Sequence, residues 1–290
     1  MIRSIALLAS FVAATAAAQS PPPPVAMVSD PCEGLTVAVP EIVEAYFRSL
    51  LALPQAGTLP APPPELAAYR KANAEARKSD WADLCRYRAD NARLREAPAT
   101  ERRVVFIGDS ITELWGLDDP RFFSKGIVNR GISGQTSPQI LLRFQGDVIA
   151  LQPERVHILV GTNDIAGNSG PNSADQYQNN IKAMVTLAKS NGIKPILGSI
   201  PPAGYFAWKP GLKPALQIVA LNNWLKSYAE AEKLEFVDYH AALARDDGAI
   251  GQEFSFDGVH PNGEGYRLMT RVVRRHLPDA GAAASRAAVH

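Results

Sequence analysis

Short apolar segments alternate with longer amphipathic segments over the carboxyl-terminal two thirds of the chain. Five runs rich in β-branched residues predict strands over residues 104–107, 127–131, 155–160, 194–200 and 235–239. Apolar residues at helical spacing between and after them predict helices over residues 137–151, 173–191, 214–232 and 261–276. Strands that alternate with helices indicate an α/β fold, in which a parallel sheet has helices on both faces.

Residues 30–98 show only helical patterns. A helix is predicted over 41–53, and a segment rich in Ala, Arg and Glu predicts a long helix over 65–95. In the long helix we expect four side chains to be buried: Trp81, Leu84, Cys85 and Leu94. We therefore expect an α-helical amino-terminal extension over 30–98 that packs on the main domain, residues 99–278, and carries no recognisable chemistry.

The two ends of the chain have patterns typical of segments without a packed core. Residues 1–18 contain a basic residue, an apolar run too short to cross a bilayer and a small-residue ending, which predicts a signal peptide cut after Ala18 and a secreted or periplasmic protein. The proline-rich residues 19–29 predict a stiff tether. Residues 279–290, rich in Ala and Ser, predict a flexible tail.

Composition narrows the function classes. The 290 residues carry a formal charge of +1 and are 46% apolar, which suits one large domain and argues against a nucleic-acid-binding protein. We expect no stable membrane span, and the sequence does not indicate an oligomeric state. The two cysteines, Cys32 and Cys85, would pair in an oxidising compartment; the alternative is two free buried thiols.

The turn after the first predicted strand presents a serine. Gly108 permits a sharp turn, so that Asp109 and Ser110 lie where a parallel strand ends and a helix begins. The first amides of a helix have no partner within it and can donate to an anion. Ser110 is thus placed for nucleophilic attack, although Thr112 stands where a G-x-S-x-G motif has its second glycine.

Polar residues also follow the other predicted strands. Gly134 lies in the turn after the second strand, Asn163 follows the third, and Asp257 and His260 follow the last. Each alone is typical of ordinary turns. Because the carboxyl ends of parallel strands lie at one edge of a sheet, we expect these residues to meet there.

Acyl transfer needs a nucleophile, a base, a group that orients the base, and donors for the oxyanion. We assign these roles to Ser110, His260 and Asp257, with an oxyanion hole made by the backbone amides of Ser110 and Gly134 and the side-chain amide of Asn163. Pro261 favours a helix start directly after the histidine, whose positive end would oppose protonation of the imidazole, while the carboxylate would favour it. The sequence does not determine the net effect.

Other candidate sites are weaker. Ser199, Asp238 and His240 form a rival triad after other strands, but no turn there supplies convergent amide donors. His157 alternates with apolar residues and is expected to be structural. The chain contains no metal-ligand spacing and no nucleotide-binding glycine motif, so we expect neither a metal nor a cofactor.

These motifs, in this order, resemble the SGNH or GDSL-type hydrolases over residues 103–277. The four letters of the first name fall on Ser110, Gly134, Asn163 and His260, while Ile111 replaces the leucine of the second name. Residues 129–134 and 161–165 are similar to the branch that contains platelet-activating-factor acetylhydrolase catalytic subunits and bacterial acetyl esterases. The resemblance implies a flavodoxin-like three-layer α/β/α sandwich and metal-free ester hydrolysis through a serine acyl-enzyme.

Substrate preference is indicated only by aromatic residues. Tyr205, Phe206 and Trp208 follow the fourth strand and could stack on a sugar, line an acyl site or simply pack their loop. Trp115 is expected in the core. We expect a secreted serine esterase that removes short acyl groups, above all acetyl, from carbohydrates. A lipid or thioester acyl hydrolase is the alternative, and a non-catalytic glycan-binding domain is a remote one.

Overall fold

Five parallel strands form one sheet in the computed structural model, which describes residues 30–278. The strands are β1 Val104–Gly108, β2 Ile127–Gly131, β3 Arg155–Leu159, β4 Lys194–Gly198 and β5 Glu235–Val237. Their order in the sheet is β2-β1-β3-β4-β5, and every neighbouring pair is parallel. This is the strand order of flavodoxin-like proteins, so the predicted fold class is confirmed.

Ten α-helices accompany the sheet in the described part of the chain. They are α1 Glu41–Leu51, α2 Pro64–Ala76, α3 Arg88–Glu96, α4 Ser110–Asp118, α5 Ser137–Asp147, α6 Thr162–Ala166, α7 Ala174–Ser190, α8 Ala215–Glu232, α9 Tyr239–Leu243 and α10 Gly263–Val273. The third, fourth and fifth strands each end one or two residues before the predicted bound. Residues 34–278 all belong to one compact unit, and residues 30–33 before it form a turn.

The helices lie on two faces because side chains alternate along each strand. Val105 and Ile107 of β1 point into a core shared with α3, α5, α7 and α8. Val104 and Phe106 point into a second core, shared with α1, α4, α9 and α10. Burying both faces of a strand requires a continuous apolar run, and β1 has one. Trp115 lies in the second core with no exposed surface, as predicted.

The register of the strands brings three strand ends to one level. Gly108, the last residue of β1, is paired with Gly131 of β2 and Leu159 of β3. A Cβ at Gly108 would lie 2.2 Å from Thr112 Oγ1 and 2.4 Å from the Leu159 carbonyl oxygen. Only glycine therefore fits where the chain turns from β1 into α4.

The predicted helix over 65–95 is interrupted. It ends at Ala76 and resumes at Arg88, because the buried carboxylate of Asp80 accepts hydrogen bonds from the backbone amides of Leu84 and Cys85 and closes a turn in place of the helix. The expectation of burial was wrong for Trp81 and Leu84, which are 43% and 54% exposed. It was right for Cys85 and Leu94.

The amino-terminal helices pack on both cores. Leu50 and Leu51 of α1 join the core around Trp115, and Leu94 of α3 joins the opposite one. Cys32 and Cys85 are both disulfide-bonded, so the pairing expected for an oxidising compartment is confirmed.

The terminal helix begins later than predicted. Asn262 caps α10 by accepting a hydrogen bond from the Gly265 amide, so the helix begins at Gly263 and not at Pro261. Pro261 instead pairs with Ser255 in a short antiparallel bridge. The turn between them is therefore closed before the helix starts.

The predicted signal peptide, tether and tail, residues 1–18, 19–29 and 279–290, lie outside the described residues. Within residues 30–278, no helix has both the length and the apolar character needed to cross a membrane.

Gly108→Ala is expected to destabilise the protein by more than about 2 kcal/mol, because the new methyl group collides with Thr112 and the Leu159 carbonyl. Gly146→Ala is the matched control: it lies in exposed α5 surface with no atom near its Cβ position and should be neutral or stabilise by about 0.5–1 kcal/mol. Urea unfolding followed by circular dichroism measures both. Equal stability of Gly108→Ala and the natural protein would contradict this packing.

Candidate active site

Ser110 begins α4 directly after the turn at the end of β1. The Asp109 side chain caps the helix by accepting a hydrogen bond from the Ile111 amide at 3.0 Å. Ser110 is 8% exposed and lines a cavity of about 1860 Å³, whose lining includes residues that follow the carboxyl ends of β1, β2 and β3. The strand, the glycine and the cap together fix the position of its hydroxyl.

The predicted triad residues lie in hydrogen-bond contact. Ser110 Oγ is 2.9 Å from His260 Nε2, and His260 Nδ1 is 2.8 Å from Asp257 Oδ2. The other carboxylate oxygen, Asp257 Oδ1, accepts hydrogen bonds from the backbone amides of Val259 and His260. The turn is closed by Ser255, whose hydroxyl donates to the His260 carbonyl. This geometry orients the imidazole towards the serine.

Electrostatics favour a charged histidine and a charged aspartate. Burial lowers the pKa of His260, but the charge and hydrogen bond of Asp257, together with the charge of Asp109, outweigh it, so the net pKa lies above the ordinary value. Burial raises the pKa of Asp257, but the charge and hydrogen bonds of His260 outweigh this effect, so the net pKa lies below its usual range. Asp257 therefore stabilises the imidazolium that forms when His260 accepts a proton.

The predicted oxyanion-hole residues line the same cavity as Ser110 and His260. Gly134 has a φ of +82°, a conformation that favours glycine. Among residues 30–278 its N–H has no hydrogen-bond acceptor, and the N–H of Ser110 has none within its helix because it belongs to the first residue. Both amides are available to a ligand.

The side-chain amide of Asn163 already forms hydrogen bonds within the protein. Its Nδ2 donates to the Gln135 carbonyl at 3.1 Å and to Asp109 Oδ2 at 3.2 Å. Its Oδ1 accepts a hydrogen bond from Asn168. For Asn163 to donate to an oxyanion, it must exchange one of these two long hydrogen bonds for the new one.

Asp109 has a shifted pKa next to this amide. Burial raises the pKa of its carboxyl to about 7. The Ile111 amide and the charge of His260 act in the opposite direction. Asp109 therefore changes charge near neutral pH while it contacts Asn163.

The rival triad is not assembled. The backbone amide of His240, not its ring, contacts the Ser199 hydroxyl, and that hydroxyl lies 3.4 Å from Asp238 Oδ1. Within residues 30–278 the His240 Nε2 atom has no partner. His157 is fully buried against the Tyr239 hydroxyl, and burial lowers its pKa to about 3, as expected for a structural histidine.

The three predicted substrate aromatics lie in different environments. Phe206 is buried in the core and stacks on Trp208, with 5.0 Å between ring centroids, which agrees with the alternative that this residue packs its loop. Tyr205 is 53% exposed, and its hydroxyl donates to the Asp257 carbonyl. Trp208 lines the cavity, with its ring centroid 6.3 Å from that of His260.

The amino-terminal extension contributes residues that the sequence analysis missed. Arg77, Trp81 and Arg86 line the cavity together with Ser110. The available signal was weak, because Asp80 and Asp83 in a helical pattern were the only indications of a turn at this position. The extension was expected to contribute no functional residues, but these three side chains lie in the wall of the cavity that contains Ser110. Within the described ranges, no group of His, Cys, Asp and Glu is arranged to hold a metal ion.

The chain is similar to known lipases and esterases. A GDSL-like lipase from Bacteroides thetaiotaomicron is 44% identical, covers 67% of this chain and 97% of its own, and superposes with a TM-score of 0.64. An isoamyl acetate-hydrolyzing esterase from Saccharomyces cerevisiae is 30% identical over 160 residues, 49% of this chain and 64% of that protein. An acetylxylan esterase from Geobacillus stearothermophilus is 26% identical over 208 residues, 60% of this chain and 93% of that protein.

The match to the family is longer than half of the chain. The chain spans 30% to 64% of the length of the first curated relatives that it matches. Residues 106–268, which include all four predicted motifs, match the GDSL-like lipase/acylhydrolase family. The prediction of a carboxylic ester hydrolase is thereby confirmed at the level of the family, and the chain belongs to the GDSL-like lipase/acylhydrolase family.

Proposed function

We propose that the protein is a serine esterase that removes short acyl groups, chiefly acetyl, from carbohydrates. The observation that carries this proposal is the continuous contact from Ser110 through His260 to Asp257, with distances of 2.9 and 2.8 Å. His260 Nε2 takes the hydroxyl proton as Ser110 Oγ attacks the ester carbonyl carbon. The protonated imidazole then gives this proton to the leaving alkoxide, and an acyl-enzyme remains.

Water completes the cycle. His260 takes a proton from a water molecule, whose oxygen attacks the acyl carbon, and the Ser110 oxygen leaves with that proton. In both steps the developing oxyanion accepts hydrogen bonds from the Ser110 and Gly134 amides and from Asn163 after its rearrangement. Removing one such donor typically costs about 3–4 kcal/mol of transition-state stabilisation.

The substrate class is supported by relatives and by exposed rings. Two of the relatives described above are named for acetyl esters. Trp81 and Trp208, 43% and 41% exposed, both line the cavity that contains Ser110 and offer flat surfaces on which a sugar ring can stack. We further propose export through the signal peptide 1–18, the tether 19–29, and a catalytic domain over 99–278 that carries the extension 30–98.

A second candidate function is hydrolysis of lipid esters or thioesters. The observation that favours it is the extent of the cavity, which continues from Ser110 to apolar side chains that include Phe47, Leu66 and Phe123. An acyl chain longer than acetyl has room along these side chains. No observation favours a non-catalytic glycan-binding domain, because glycan binding alone does not require the hydrogen-bonded contacts from Ser110 through His260 to Asp257.

Ser110→Ala is expected to lower kcat for p-nitrophenyl acetate by at least about 10⁴-fold, because the nucleophile is lost. Ser199→Ala, which removes the serine of the rival triad, is the matched control and should retain the natural rate. Circular dichroism should show that both variants fold. A Ser110→Ala variant with the natural rate would eliminate Ser110 as the nucleophile.

A series of p-nitrophenyl esters separates the two candidate substrates. If the protein removes chiefly acetyl groups, kcat/KM should be highest for the acetate ester and should fall with each longer acyl chain. Acetylated xylooligosaccharides should then be deacetylated, as followed by release of acetate. If kcat/KM is highest for acyl chains of about eight or more carbons, the result would favour hydrolysis of lipid esters instead.

The pH dependence follows from the raised pKa of His260. Only the neutral imidazole accepts a proton, so kcat/KM should fall as pH falls, with a midpoint above 6.5, the ordinary value for histidine. Asp109→Asn should move this midpoint to lower pH, because the Asp109 carboxylate is one of the groups that raise the pKa of His260. Stopped assays between pH 5 and 9 measure both profiles. A rate independent of pH over this range would exclude His260 as the base.

A further inference from the structure

Residues 77–87 of the extension, which we call the clasp, contact the loop that carries Gly134. Arg77 Nη2 donates to the Ser133 carbonyl at 3.0 Å. Gln135 Nε2 donates to the Ala82 carbonyl and to Asp83 Oδ2, both at 2.9 Å. The residues on either side of Gly134 are thus held by the clasp.

Asp83 is the residue at which these contacts converge. Its carboxylate pairs with Arg77 Nε at 2.9 Å and accepts the hydrogen bond from Gln135. Its side chain is only 14% exposed. Its φ is +53°, a conformation unfavourable for a residue with a Cβ and better tolerated by Asp and Asn than by most others. The hydrogen bonds of its carboxylate compensate for this backbone.

Gln135 connects Asp83 to the other proposed oxyanion donors. Its Oε1 accepts a hydrogen bond from Arg143 Nε at 2.6 Å, and Arg143 Nη2 donates to the Gly108 carbonyl at 2.9 Å, two residues before Ser110. The backbone carbonyl of Gln135 accepts a hydrogen bond from Asn163 Nδ2. One side chain therefore links the clasp to the strand end before Ser110, and its own carbonyl orients Asn163.

We propose that Asp83 is a positioning residue for the oxyanion hole, acting through Arg77 on Ser133 and through Gln135 on the Gly134 turn. This inference rests on the proposed esterase function. Oxyanion donors stabilise a transition state to the extent that they are aimed before the charge develops. Asp83 has no contact with the reacting atoms; its effect is to fix the direction of the Gly134 N–H. The extension, which lies before residue 106 where the family match begins, thereby completes the catalytic centre.

Asp83→Gly and Asp83→Asn test this proposal. Glycine removes the carboxylate but relaxes the left-handed backbone, so a loss of activity is not due to strain at this residue. Asparagine tolerates the same backbone and keeps an acceptor for Gln135. Asp83→Gly is expected to lower kcat for p-nitrophenyl acetate by about 10-fold to 100-fold, with KM within about 2-fold, and Asp83→Asn should retain part of the lost rate.

The matched control is Asp90→Asn. Asp90 also forms an ion pair between the extension and the sheet, with Arg130 at 2.7 Å, but it does not contact the Gly134 loop. Its kcat should equal that of the natural protein. Titration with a fluorophosphonate counts competent active sites in each preparation, so every kcat refers to folded enzyme.

The outcomes separate this inference from the proposed function. The natural kcat per active site in Asp83→Gly, or an equal loss in Asp90→Asn, would overturn the positioning role. A rise in KM without a change in kcat would also overturn it, because that pattern indicates a lost substrate contact. Activity that survives Ser110→Ala would instead overturn the esterase mechanism itself.

Discussion

The close approach of backbone at the end of β1 is the constraint on which the site depends. A hydrogen atom, and nothing larger, fits between Gly108 and its neighbours Thr112 and Leu159. Because of this approach the chain turns at once into α4, and Ser110 lies at the strand ends, where its amide has no acceptor within the helix. The turn that contains Asp257 and His260 is closed by its own hydrogen bonds and places the imidazole next to Ser110. The contact that packs the end of β1 against β3 and α4 thus also places the proposed nucleophile.

The extension does more than cover the sheet. Its first helix and its third helix join opposite cores, and the clasp between them contacts the Gly134 loop. Within the clasp, the Asp80 carboxylate accepts hydrogen bonds from the backbone amides of Leu84 and Cys85. Because folding already orders the clasp, its contacts can hold the Gly134 loop in one conformation before a substrate binds. The proposed positioning role of Asp83 therefore assigns part of the site to residues that lie before residue 106, where the family match begins.

Sequence patterns predicted the sheet and the triad but not the clasp. The parallel sheet and the meeting of Ser110 with His260 follow from the alternation of strands and helices and from the rule that parallel strands end at one edge. The break after Ala76 depends on the buried carboxylate of Asp80, and a pattern of apolar spacing cannot show which polar side chains bind their own backbone. The role of Phe206 stayed open for a similar reason, since an aromatic ring in a loop is equally typical of a substrate surface and of a core. The engagement of Asn163 by Asp109 and Gln135 depends on contacts between distant segments.

The central claim is that one activated hydroxyl in this chain attacks the ester. Intact mass spectrometry and peptide mapping after reaction with a fluorophosphonate test it most directly, because such reagents phosphonylate a serine that is activated by a neighbouring base. We expect a single adduct, located on Ser110, which forms more slowly as the imidazole of His260 becomes protonated. An adduct on Ser199 or another serine, or no adduct in a protein that still hydrolyses esters, would contradict it.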